Sequence, residues 1–206
     1  MAKNTFGHEI RDRWSFFKWQ ITAGLIVLAL ALHFGWVHFH QKETYVSVML
    51  LDCHSSPTQD QIQEGLEEGM GIDTGKSQVE VQSTLMLSDQ SSGTYQMTSL
   101  SRFLADLGSE KLDVCGMLLE DFETYEPAGT WMDLNGVLPV VSEERLSEYL
   151  LRAEDGRIIG IRAEGLPGLG GLDCYASKDV AAAVGILYNT KRIEPAVRLL
   201  EFLAEG

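Results

Sequence analysis

The sequence predicts an α/β domain built on one open, mainly parallel sheet with helices on both faces, carried behind an N-terminal transmembrane helix. Three observations lead there. Ile21 to Leu32, ITAGLIVLALAL, holds no charge; three apolar or β-branched runs follow at 43–52, 79–87 and 112–119; and each gap between those runs has apolar residues at helical spacing. Strand, helix, strand, helix, strand with connections of this length implies right-handed crossovers and parallel strands.

The apolar stretch comes first. At about 1.5 Å rise per residue, the roughly 20 residues from Phe17 to Val37 cover a hydrocarbon core of about 30 Å. Lys3, Arg11, Arg13 and Lys18 precede the stretch and only Lys42 closely follows it. The positive-inside rule therefore keeps residues 1–18 cytoplasmic, makes 19–39 the span through the lipid bilayer, and places 42–206 outside the cytoplasm at the cell membrane. Trp14, Trp19, Trp36 and Phe39 sit near its ends, where amphipathic rings favour the headgroups. A cleaved signal peptide competes, because Ala29-Leu30-Ala31 has the small-x-small form. That triplet lies inside the apolar run and no polar break follows it, which favours an uncleaved anchor. His33, His38 and His40 read as interfacial residues, with no acid or cysteine beside them to suggest a metal.

The remainder is acidic. Of 16 Lys and Arg, four precede residue 41, and of 30 Asp and Glu, two do, leaving 12 cations against 28 acids beyond it. This balance argues against nucleic acid and against an electrostatic membrane patch. Some 165 residues amount to one domain. Three cysteines are too few for a disulfide scaffold. Cys53 and Cys115 fall in or after strand runs and would admit one bridge if those strands are neighbours, but buried thiols are the favoured reading.

Within the domain, Glu43 to Asp52 (ETYVSVMLLD) suits a strand buried on both faces. Ser55-Ser56-Pro57 reads as a helix start, and Ile62, Leu66 and Met70 supply its stripe. Val79 to Leu87 is the second strand. Met97, Leu100, Phe103, Leu104 and Leu107 mark the second helix, stopped by Gly108. Leu112 to Leu119 is the third strand. Ser142 to Leu151 reads as a short helix with Ser142 as N-cap, and Glu194-Pro195 opens a last helix striped by Val197, Leu199, Leu200 and Leu203.

Open sheets of this kind bind ligands beyond the carboxyl ends of their strands. Asp52, His54 and Ser55 follow strand one, Asp89 follows strand two, and Glu120 and Asp121 follow strand three; these six are the candidate ligand-binding residues. The plain alternative is that loops after strands are polar anyway. Asp52-Cys53-His54 has no second cluster at ligand spacing, so no metal site is inferred. No G-x-S-x-G, H-E-x-x-H or C-x-x-C occurs, and Glu120 and Asp121 suit a helix start better than an acid/base pair. Neither an enzyme nor a cofactor is implied.

Several segments carry a resemblance. Asp113-Val114, Phe122, Gly129 and Trp131-Met132-Asp133-Leu134, then Asp155-Gly156-Arg157-Ile158-Ile159-Gly160-Ile161, then Gly185-Ile186, Asn189-Thr190-Lys191, Glu194, Ala196 and Leu200-Glu201-Phe202-Leu203 are similar, in this order, to motifs of the extracellular solute-binding proteins of ABC transporters, with the type II periplasmic-binding-protein fold. The resemblance covers slightly more than half of the chain. It implies a bacterial, extracytoplasmic, ligand-binding lobe. Such proteins run to several hundred residues and close two lobes on a ligand, whereas only about 20 residues separate Ile161 from the late strand at Ala182. The second lobe is missing from that place. Gly165 to Gly171 reads as a flexible connection closing the shortcut, since it lacks the lysine and Ser/Thr of a phosphate loop.

Two functions follow as expectations. One is a membrane-anchored single lobe that binds a small solute or peptide at the open strand ends. The other is a degenerate lobe kept as an interaction module, docking an envelope protein or forming a homodimer.

Overall fold

The computed structural model describes residues 17, 19–20, 22–34, 42–53, 58–88, 93–164, 166–170, 174–175 and 181–205. The chain divides into two units, Met1–Lys42 and Glu43–Gly206. In the first, residues 22–34 are helical (α1). Among the described residues no helix is long and apolar enough to cross a membrane, and residues 35–39 of the expected span lie outside them.

The second unit holds one sheet of six strands: β1 (Glu43–Leu50), β2 (Ser77–Gln82), β3 (Val114–Leu118), β4 (Leu150–Arg152), β5 (Ile158–Arg162) and β6 (Ala182–Ile186), in the order β2-β1-β3-β6-β5-β4. The expected parallel arrangement holds for β1 with β2 and with β3. It fails beyond them, because β3/β6, β6/β5 and β5/β4 are antiparallel, so the sheet is mixed. The cause is local. Asp155 and Gly156 turn the chain directly from β4 into β5, with Gly156 at φ 89° and the Asp155 carboxylate accepting from the Arg157 N–H at 3.1 Å. A tight hairpin leaves no room for the helical crossover that parallel pairing requires.

Helices cover both faces. Val46, Val48 and Leu50 of β1, Val79 and Val81 of β2, and Ala182, Val184 and Ile186 of β6 face α2 (Gln59–Gly69), α5 (Val140–Leu146), α6 (Pro167–Gly170) and α7 (Ile193–Glu205). The alternate residues Met49, Leu51, Cys115, Met117 and Ala183 face α3 (Gly93–Gly108) and α4 (Leu119–Tyr125). The period of two along each strand and the four-residue stripe of α2, with Ile62, Leu66 and Met70 all buried, produce this sandwich. On the second face the Phe122 ring stacks on Trp131 with centroids 3.9 Å apart, and lies where a Cβ on Gly160 or Gly185 would stand.

Several expected boundaries move. α2 is capped by Thr58, which makes a capping box with Gln61; Ser55 to Pro57 lie outside the described residues. β2 ends at Gln82, because the segment beyond it bonds to the end of β1 instead of continuing the ladder. α5 starts after Pro139, so Ser142 is no cap; its hydroxyl donates to Glu201 of α7. The glycine-rich connection is packed where it is described: Leu166 and Leu169 are buried, and Gly168 lies so close to the α7 backbone that a Cβ would fall 2.8 Å from the Leu203 Cα.

Candidate functional site

The topology creates one place where the connections part. From β1 the chain passes to α2 on one face and returns in β2; from β2 it passes to α3 on the opposite face and returns in β3 on the other side of β1. The loop after β1 therefore leaves towards one face, and the α4 segment after β3 towards the other. The carboxyl ends of β1 and β3 are therefore a topological switch point, the place where open α/β sheets bind ligands.

Asp52 stands at its edge. It adopts φ 55°, a left-handed conformation that aspartate tolerates better than most residues. Its side chain turns inward, 1 % exposed, and Oδ1 accepts from the backbone N–H groups of Leu87 (2.9 Å) and Ser88 (2.8 Å). Its own N–H donates to Leu85 O at 3.0 Å. Asp52 thus ties the loop after β2 to the end of β1. Tyr175 adds a third segment: its buried hydroxyl donates to Leu51 O at 2.7 Å. Burial, reinforced by Cys53, Cys115, Cys174 and Asp52 nearby, pushes this phenol well above its ordinary range. Gly116 of β3 leaves room for it, since a Cβ there would lie 3.2 Å from the Tyr175 oxygen.

The candidate residues divide accordingly. Asp52 fastens the strand ends at the switch point through bonds to the backbone. Glu120 and Asp121 stand in the first turn of α4 at the end of β3, Glu120 exposed and Asp121 half-buried. Their charge there also offsets the unpaired N–H groups of the helix start. His54, Ser55 and Asp89 lie outside the described residues. Cys53, Cys115 and Cys174 are buried thiols, and the bridge between Cys53 and Cys115 is not formed. Burial pushes the Cys115 thiol far up, so it stays protonated and unreactive.

Sequence reasoning missed Tyr175, which stands alone in a polar stretch, and a knot at the other end of the strands. Asp113, fully buried, accepts from the Ser47 N–H (2.8 Å), from Arg192 Nε (2.7 Å) and from the Thr190 hydroxyl. Arg192 also donates to Lys111 O at 2.9 Å. This knot joins β1, β3 and the loop between β6 and α7. Both halves belonged to motifs noted in the sequence, Asp113-Val114 and Asn189-Thr190-Lys191, but nothing there linked them.

A groove of about 720 Å³ lies between α4 and the β4–β5 hairpin. Arg157, which lines it, is already taken by Glu126 and Asp155, each at 2.6 Å. Among the described residues no group of three or more His, Cys, Asp or Glu is placed to hold a metal ion.

No family model matches the chain, and no curated protein does. Among solved structures, an extracellular solute-binding protein family 1 from Alicyclobacillus acidocaldarius subsp. acidocaldarius DSM 446 is similar over 60% of this chain and 29% of its own, at 11% identity and a TM-score of 0.37. The matched part thus spans less than a third of that protein.

Proposed function

We propose that this chain is a membrane-anchored, extracytoplasmic and non-catalytic domain, like one lobe of a solute-binding protein, that holds a small solute or peptide in the crevice between the carboxyl ends of β1 and β3. The observation that carries this reading is the switch point itself, with Asp52 fastening the loop after β2 onto the end of β1. Bonds from Asp52 and Tyr175 hold these loops, so little ordering remains for a ligand to impose. An open lobe covers only one side of its ligand, so affinity is modest unless a partner closes the other side. The anchor is supported by α1, whose Leu25, Val27, Leu32 and Phe34 are 60–68% exposed on a helix that is apolar all round.

The test is a thermal melt of the full chain in detergent with sugars, amino acids and oligopeptides in turn. A ligand at about 100 times its dissociation constant adds about 2.7 kcal/mol, or several degrees. A shift with one class supports the reading, and a melt indifferent to all of them contradicts it.

A second reading has its own observation. On α3, Met97 and Leu104, seven residues apart and so on one face, are 65% and 48% exposed, an apolar pair that suits an interaction module docking an envelope protein or a second copy. Concentration-dependent sedimentation, lost on Met97→Ser with Leu104→Ser, would favour the dimer.

A further inference from the structure

At the end of the sheet opposite the crevice, the start of β1, the outer strand β2, the C-terminal half of α3 and the segment entering β3 enclose a groove of about 390 Å³. Its size is within the roughly 300–1,000 Å³ typical of small-molecule sites. The groove follows from the way α3 packs. β2 turns Val79 and Val81 into the core facing α2, and none of its residues joins the core under α3, so Glu80 and Gln82 line an uncovered strip of sheet.

Cations gather there although the domain is acidic. Arg102, Lys111 and Arg192 line the groove, three of only 12 beyond residue 41. Arg102 Nε is held by Asp106 at 2.7 Å, Arg192 Nε by Asp113 at 2.7 Å, and Glu110 pairs with Lys191 at 2.5 Å. These pairs leave one charge of each sign unanswered among the described residues: the Lys111 ammonium and the Glu80 carboxylate. Glu80 is positioned by the Thr44 hydroxyl, which donates to its Oε1 at 2.7 Å. Ser47, only 4% exposed, also lines the groove; its N–H goes to Asp113, while its hydroxyl makes no hydrogen bond among the described residues. That hydroxyl opens onto the groove and is available to a polar atom of a ligand.

We propose that this groove binds a small zwitterion of the α-amino acid class, its carboxylate on Lys111, its ammonium on Glu80, and a polar atom on the Ser47 hydroxyl. A simple anion is attracted by Lys111 but repelled by Glu80, and a simple cation meets the reverse. A ligand bearing both charges engages the two together. The site lies apart from the crevice and does not rest on the function proposed above.

The experiment is calorimetric titration of the full chain in detergent with L-serine and with L-glutamine. Saturable binding of either is expected. It should weaken at least tenfold in Lys111→Gln and in Glu80→Gln, and equally when the bound amino acid is replaced by its N-acetyl or its α-amide derivative. Both side chains are exposed, and an unchanged melting temperature shows that each variant folds. The proposal is overturned if neither amino acid binds, if the blocked derivatives bind as well as the parent, or if both variants bind like the wild type. It also falls if Glu120→Gln abolishes binding while those two variants retain it, which would put the amino acid in the crevice.

Discussion

Removing the Asp113 carboxylate should unlock three segments at once. In Asp113→Ala the Ser47 N–H, the Thr190 hydroxyl and the Arg192 guanidinium lose their shared acceptor, which is fully buried. Hydrogen bonds to charged groups contribute about 1.5–3 kcal/mol each, and a buried donor left unmatched costs about 1–3 kcal/mol. The sum overstates the effect, because the Arg192 side chain is 31% exposed and can rehydrate. Counting the Ser47 N–H, on a residue only 4% exposed, as a donor left unmatched, we expect a loss of about 3 kcal/mol. For a domain of this size that lowers Tm by about 6–12 °C. Denaturant unfolding of the full chain, followed by near-ultraviolet circular dichroism, reads it directly. A double-mutant cycle with Arg192→Ala should show a coupling of about 1 kcal/mol or more. A loss below about 0.5 kcal/mol, the ordinary range of surface substitutions, would refute the reasoning, as would strict additivity with Arg192→Ala.

Other consequences follow from close packing and burial. Gly160→Ala puts a Cβ 2.5 Å from the Val184 carbonyl oxygen and 2.9 Å from the Phe122 ring, so the β5–β6 pairing must move; we expect a loss of about 3 kcal/mol or more by denaturant unfolding. Gly116→Ala meets only side-chain atoms, the nearest at 3.0 Å, and should cost clearly less in the same assay. Tyr175→Phe leaves the Leu51 carbonyl without its donor and should cost about 1–3 kcal/mol. The same tyrosine sets a pH dependence. Its phenol is raised in the folded state, so its contribution is intact below the ordinary tyrosine range, near pH 10, and declines as pH rises above it. Alkaline titration of absorbance should show one tyrosine ionising only as the domain unfolds, a step missing in Tyr175→Phe.

How much was legible in the sequence differs from element to element. β1 and β3 declared themselves as short continuous apolar runs, and α2 and α7 by apolar residues repeating at the helical period; those residues are buried. α3 shows where this signal fails. Apolarity alone placed Met97, Phe103 and Leu104 on one inner face, yet the buried positions are Ser99, Phe103 and Asp106. Ser99 Oγ accepts from the Met86 N–H, and Asp106 pairs with Arg102, so two polar residues are satisfied inside and two apolar ones are turned out. The direction of β6 was illegible because strand polarity depends on connections, not on composition. Asp52 was legible as a residue at a strand end. Its bonds to Leu87 and Ser88, 35 and 36 residues away, were not, because no local pattern encodes them.

Hydrogen exchange of the full chain, with and without whichever sugar, amino acid or oligopeptide raises its melting temperature, tests the central claim most directly. Occupancy of the crevice should slow exchange at the backbone N–H groups of 51–53, 85–88 and 118–121 together. Protection confined to other parts of the domain, with these three segments unchanged, would contradict binding at the switch point.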